Sequence, residues 1–521
     1  MQNMQAHRLA APFSAPSFIR FTPPFSCFKY VESLFAGWPS VHRCFSLARS
    51  FGAKTLIEEH LSPAGIISQE NEELAALGLT QSTHDLRRLS FWDRHVTVRN
   101  ATSLTDKNLI GYAILKRDIG EWQGFGIDQW HVFEAVFKKY AHLHNCLPDA
   151  GAYSVRIGDK TFTARGVLYC QQNGLNKACA HVAIRSLLSR LVPEHDVSYS
   201  SMNKIARECF TARYRPSGGL TVQQIRSILR HYEIEFRDIA YNENCEVTPD
   251  IRKDQPYQKY LYSGIESGCG GLLGFSMDGP KATQERHIIP FYGHTFNKDT
   301  WAPDADASYF NIGANVGYIP SDSWTSSFLG HDDNFGPCFC IPRLYVKAEN
   351  VQYVVEVLQS GAQYNGIIAE AIALRLLYSL YPKLETSNAW QKRLAQHVHP
   401  DNQKVVLRAC CVQKEKYLTH LRCVRDWEGK SEEPGVLSAL EAALPSMLWI
   451  VEFSIPHLFP ANERKIGEIV LDARCPPEGF LPFIIARLPG NYLTLTDRKS
   501  RSYGRGPSRL QSHVEVMRQP D

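Results

Sequence analysis

No stretch of this 521-residue chain approaches the roughly 18 consecutive apolar residues that a membrane-crossing helix needs, and its basic residues form no long run. The first absence argues against a bilayer anchor. With 57 Lys and Arg against 53 Asp and Glu, the net charge of +4 is too small at this length to suggest a nucleic-acid partner. CxxC pairs are missing as well: the 14 cysteines stand singly or as Cys338/Cys340 and Cys410/Cys411. Such spacing suits neither a disulfide scaffold nor a zinc pair, and reduced thiols in a cytoplasmic setting are the expectation. No GxSxG marks a serine-hydrolase elbow. The glycine-rich Gly268 to Gly274 fits neither GxGxxG nor the Walker pattern and runs into an apolar strand, so no nucleotide cofactor is expected. Acidic residues are absent before Glu32, yet Met1 to Phe28 has no continuous apolar core for secretion and reads as a frayed terminus rather than a transit peptide.

What is present is an ordinary globular composition, 44% hydrophobic and 21% charged, long enough for more than one domain. The most informative stretch is Cys170-Gln171-Gln172-Asn173-Gly174-Leu175-Asn176-Lys177-Ala178-Cys179-Ala180-His181. It opens a helix in which Ala180, Ala183, Ile184, Leu187, Leu188 and Leu191 mark one face. A cysteine at a helix start gains from the partial positive charge there, which favours the thiolate. A glutamine just upstream, Gln172, can donate to an oxyanion. Taken alone, Cys179 would be a buried helix cysteine, as most free cysteines are.

A second segment changes that balance. His287-Ile288-Ile289-Pro290-Phe291-Tyr292-Gly293-His294 is an apolar strand that begins with histidine, and Gly330-His331-Asp332-Asp333-Asn334-Phe335-Gly336-Pro337 supplies acidic residues before a turn. The order Gln, Cys at a helix start, His at a strand start, then a polar residue before a turn resembles the papain-like cysteine peptidase superfamily, including its bacteriocin-processing branch. The step from His287 to Gly293 matches the His-to-Gly step of papain's strand, and Asp333-Asn334-Phe335-Gly336 resembles the family's N-S-W-G turn. The likeness covers roughly residues 165 to 345. It implies Cys179 as nucleophile, His287 as base and later acid, Asp333 or Asp332 as the residue orienting the imidazole, and Gln172 in the oxyanion hole. It also implies a protein or peptide substrate and a bacterial enzyme that needs no metal.

Alternatives remain at each position. His294 and His181 compete for the role of base, and Asp304 follows the His strand at the shorter family distance, although Pro303 would interrupt a central strand there. The insertion Ala305 to Trp324, with Tyr309, Phe310, Tyr318 and Trp324, reads either as a substrate wall or as packing aromatics. His142-Leu143-His144-Asn145-Cys146 and His397-Val398-His399-Pro400-Asp401 lack a second ligand pair at zinc spacing.

The expected fold is α+β, a papain-like core whose nucleophile helix packs on an antiparallel sheet, with large flanking regions. Residues 1–150 read as an accessory α+β domain, 151–345 as the core, 346–496 as a C-terminal α/β region and 497–521 as a disordered polar tail. Within the first region Leu109 to Leu115 reads as a strand and Trp130 to Leu143 as a helix. Thr221 should cap a helix, and Gly366 to Leu377 should form a largely buried one. The leading expectation is a cysteine hydrolase acting on peptide or isopeptide bonds. The other is a degenerate papain-like scaffold serving binding or assembly, which the size of the flanking regions favours.

Overall fold

The structure, a computed structural model, describes residues 10–505 except 13, 82–84, 123–124, 139–144, 148–149, 177, 196, 210–218, 242–255, 277–285, 296–316, 386–387, 424–430, 432, 460–464, 480 and 497–499. These residues form a mixed α and β molecule built on three sheets. Pairing is antiparallel throughout, apart from Ile319–Pro320 beside Val406–Gln413. Among the described residues no helix is long and apolar enough to cross a membrane.

The first sheet runs in the order Thr55–Pro63, Leu86–Trp92, Leu109–Trp122, Phe125–Lys138, Lys160–Tyr169, Gly151–Ile157. Helices Cys27–Phe35 and Pro39–Ser50 cover one face, setting Val31, Phe35 and Phe45 against Leu56, Phe91 and Phe137. The other face packs Trp92, Tyr112 and Phe133 with Val182 of the Cys179 helix. The boundary expected at residue 150 therefore falls inside this sheet, which continues to Tyr169. The helix expected at Trp130–Leu143 is instead the strand Phe125–Lys138, with 139–144 outside the described residues. The pairing with Leu109–Trp122 skips Phe133, a bulge that puts Phe133 and Val136 on one face and Val132, Ala135 and Phe137 on the other. Burial on both faces plus one extra residue imitates helical spacing.

In the second sheet the order is Phe236–Ala240, Val351–Val357, Gly271–Ser276, Arg286–Thr295, Ser327–Asp332, Gly336–Pro342. Side chains alternate between its two faces. Leu272, Ile288 and Val355 meet the helices Cys179–Leu188, Tyr199–Cys209 and Val222–His231, while Leu273, Ile289 and Val354 meet Tyr257–Glu266. The Cys179 helix contributes Ile184, Leu187 and Leu188, all essentially inaccessible. Each such side chain is worth about 1.5–3 kcal/mol relative to exposure, and Leu187→Ala would cost about 2–5 kcal/mol. Thr221 caps Val222–His231 as expected, in a reciprocal capping box with Gln224.

The third sheet, from Val406–Gln413 through Met447–Ser454 and Gly467–Asp472 to Phe483–Leu488, is sandwiched between helices. Leu374, Leu377 and Leu394 pack on Trp449 and Val451, and Tyr417 and Leu421 pack on Ile450 and Val470. A strand at Ser500–Arg505 pairs with Asn491–Thr496, so part of the segment expected to be a disordered tail extends this sheet through backbone hydrogen bonds. Residues 506–521 lie outside the described residues.

Candidate active site

Cys179 is the first residue of its helix and is half-buried. The preceding Ala178 offers no side-chain cap and the first turn carries no acid, so the positive end of the helix dipole faces the thiol without a competing side-chain anion from that turn. The thiol lies close enough to His287, the second residue of the strand Arg286–Thr295, to help raise its pKa.

His287 is 7% exposed, with its ring edge against Phe275 at 5.6 Å. Its Nε2 lies 3.4 Å from Asp332 Oδ1 and 3.3 Å from Asp333 Oδ1. The Asn334 side-chain nitrogen stands 3.5 Å from the same atom. Burial alone would lower the His287 pKa. Hydrogen bonds with Asp332 and Cys179 and the charges of Asp333 and Asp332 outweigh it and raise the pKa to about 10. Asp333 moves the other way for a carboxylate. Burial pushes it up to about 6, opposed by His287 and reinforced by Asp332. The two acids are held differently: Asp332 Oδ1 accepts from the Asn334 N–H at 2.9 Å, whereas neither Asp333 oxygen has an aligned hydrogen bond among the described residues.

The acidic turn is built by two sheets. It joins strands Ser327–Asp332 and Gly336–Pro342 and is gripped by a helix that covers the first sheet, where Arg43 of Pro39–Ser50 donates to the carbonyls of Pro337 (3.1 Å) and Cys338 (2.5 Å). The Arg43 guanidinium also covers Phe339 at 4.6 Å. Gly336 has φ +121°, and a Cβ there would meet Arg43 Cβ at 2.9 Å, so glycine is required by both backbone and space. Tyr169, at the end of a first-sheet strand, donates to the Asp332 carbonyl at 3.4 Å.

The remaining candidates are sorted by their partners. Gln172 is half-buried in the segment leading to Cys179 and has no side-chain hydrogen bond among the described residues. Its neighbour Gln171 is a packing residue that accepts from Ser40 Oγ at 2.7 Å and Val132 N at 2.9 Å. His181 is buried and bonded to Asn203 Oδ1 at 2.9 Å, its pKa lowered to about 4 chiefly by burial. His294 lies at the far end of the His287 strand, fully buried, with Nε2 2.5 Å from Glu266. Asp304, Tyr309 and Phe310 lie outside the described residues. Tyr318 and Trp324 are packing aromatics: Tyr318 donates to Glu370 at 2.6 Å and Trp324 lies against Phe459.

Two described donor sets are tight enough for a cation, His287 with Asp332 and Asp333, and His420 with Glu452 and Glu468. In the second, the Lys465 ammonium already lies 3.0 Å from His420 Nε2, 2.9 Å from Glu452 and 2.5 Å from Glu468. In the first, the shared Nε2 faces both acids, a set of one nitrogen and two carboxylates without a sulfur ligand. The residues that sequence reasoning passed over are Glu73, Asn176 and Asn203, which surround His181 beside the helix start. The asparagines at 173 and 176, ahead of a helix-opening cysteine, were the available signal.

No protein-family model matches the chain, and no curated protein is significantly similar to it.

Proposed function

We propose that the protein is a papain-like cysteine hydrolase acting on peptide or isopeptide bonds, with Cys179 as nucleophile. The observation that carries this reading is the grouping of thiol, imidazole and carboxylates: Cys179 at a helix N-terminus, close enough to His287 to raise its pKa, and His287 Nε2 at 3.4 Å from Asp332 and 3.3 Å from Asp333. The two acids favour the imidazolium form of His287, the partner that the attacking sulfur needs beside it. The thiolate attacks the carbonyl carbon, and the developing oxyanion takes hydrogen bonds from the Cys179 N–H and the Gln172 amide. His287 then protonates the departing amine, and water, deprotonated by the same ring, releases the acyl group. Asp332, fixed by the Asn334 N–H, orients the ring, and Asp333 tunes its charge.

The test is a dose series with a small thiol-reactive probe, read by peptide mapping. Cys179 is expected to react well ahead of the other cysteines, and His287→Ala is expected to remove that advantage. Labelling spread evenly over the exposed thiols would sink the hydrolase reading and leave the degenerate scaffold.

A further inference from the structure

The segment between strand Lys160–Tyr169 and the Cys179 helix alternates in burial: Gln171, Asn173 and Leu175 are buried, whereas Gln172, Gly174 and Asn176 are partly exposed. The buried positions are tied to the first sheet and to helix Ile66–Ala76. Gln171 pairs twice with Val132, its N–H donating to the Val132 carbonyl and its side-chain oxygen accepting from the Val132 N–H, both at 2.9 Å. Two residues on, Asn173 Nδ2 donates to Glu70 at 2.8 Å, while Asn173 Oδ1 accepts from the Leu175 and Asn176 N–H groups at 3.0 and 3.1 Å. Gln172, the oxyanion donor of the proposed mechanism, is suspended between these two anchors.

Glu70 belongs to helix Ile66–Ala76 and is 4% exposed. A carboxylate is costly to bury unless it is both paired and hydrogen-bonded, and here each oxygen has its own donor: Oε1 takes Asn173, and Oε2 takes Lys116 at 3.3 Å. Lys116, on the first-sheet strand Leu109–Trp122, also lies 3.2 Å from Asp118. Burial would lower the Lys116 pKa, but Glu70 and Asp118 outweigh it and raise it. A carboxylate only accepts, so Asn173 must present its amide NH2 to Glu70, and its oxygen is thereby turned back to gather two backbone N–H groups of the loop. An acid on a distant helix thus orients the amide that folds the chain ahead of the thiol.

We infer that Glu70 is a positioning residue for acyl transfer: through Asn173 it holds segment 171–176 in the conformation that turns the Gln172 amide toward the carbonyl oxygen under attack. It acts through Asn173 and not on the reacting atoms. Its effect on rate rests on the hydrolase reading, whereas the anchoring of the loop does not.

The experiment reverses the polarity of the pair. Asn173→Asp sets two carboxylates against each other. In Glu70→Gln/Asn173→Asp the new amide donates to the new acid and its oxygen still accepts from Lys116, so each bond is remade with donor and acceptor exchanged. Glu70→Ala, which removes the acceptor without adding a charge, is a second way to break the anchor. Two reactions at Cys179 are followed by peptide mapping: acetylation by p-nitrophenyl acetate, in which sulfur takes the acetyl group through an oxyanion and p-nitrophenolate leaves, and alkylation by iodoacetamide, which forms no oxyanion. Both breaking variants should slow acetylation by about 10- to 100-fold, the scale of an ångström-sized misplacement, with alkylation unchanged, and the double variant should recover most of the loss. A merely structural role would move both reactions together. Thermal unfolding midpoints of the same proteins read the anchor without the chemistry. Midpoints lost and recovered, with wild-type Cys179 acetylated no faster than glutathione, would sink the hydrolase reading and keep the anchor. Acetylation unchanged in the breaking variants, or a double variant that recovers its midpoint but not its acetylation, would overturn the positioning role.

Discussion

The strand Arg286–Thr295 carries a histidine near each end, and the two sites use the same chemical pair to opposite ends. At one end His294 Nε2 meets Glu266, whose other oxygen is bonded to Arg408, while Arg408 in turn holds Glu452. Every member is buried, and the Glu266 carboxyl is held down to about 2: burial alone would raise it, but Arg408 and His294 outweigh that effect. At the other end His287 meets two acids with no guanidinium between them among the described residues, one of them pushed up to about 6, and a thiol stands near its ring. A histidine and carboxylate neutralised by a third charge form a strut. The same pair left one cation short, and given a nucleophile, can move protons.

The largest expected effect breaks the reactive end: His287→Ala should lower the Cys179-dependent hydrolysis rate by about 100- to 10,000-fold, measured as kcat/KM on any peptide that proves to be a substrate. His294→Ala should leave the small-probe reactivity of Cys179 in place wherever the protein still folds. Next in size, Arg408→Met strands Glu266 in the interior and should cost about 3–5 kcal/mol in urea unfolding with Cys179 alkylation unaltered in the folded protein. If alkylation falls in parallel with stability, the two ends are not separable as argued. Gln172→Ala should reduce kcat by about 100- to 1000-fold with little change in thiol labelling, because an oxyanion donor acts only once the carbonyl has been attacked.

The smallest effect is on pH. The proposed mechanism needs Asp333 ionised and His287 protonated, so hydrolysis should rise through about pH 6 and fall through about pH 10. Asp333→Asn should remove the lower limb and leave the upper. Stability carries the corresponding sign. The raised His287 pKa means its stabilisation is complete below its unfolded value of about 6.5 and is lost as pH climbs through about 10. A wild-type alkaline limb in the unfolding midpoint that persists in His287→Gln would place its origin elsewhere.

Much of this was legible in the chain because local patterns agreed with tertiary packing. Thr221 and Gln224 close a capping box, Leu272 and Leu273 alternate across their sheet, and the apolar face of the Cys179 helix is the face that packs. The Phe125–Lys138 strand misled because it is buried on both faces and bulged at Phe133. That His294 is tied into an ion-pair network while His287 is not could not be read from their spacing. The difference is made by Glu266 and Arg408, the latter far along the chain, and such long-range neutralisation leaves no periodic trace. The donors at Arg43 that hold the acidic turn are invisible for the same reason, being joined to it only by the fold.

The strand Lys160–Tyr169 is bonded on both flanks within the first sheet and then feeds the loop that ends at the thiol, while Arg43, from a helix packed on that sheet, clamps the hairpin beside His287. A trimmed version starting at the apparent border of residue 150 would keep all the reactive groups yet lose the template that aligns them. Anyone wishing to shrink or transplant this machinery has to carry the first sheet, through Tyr169, along as its jig.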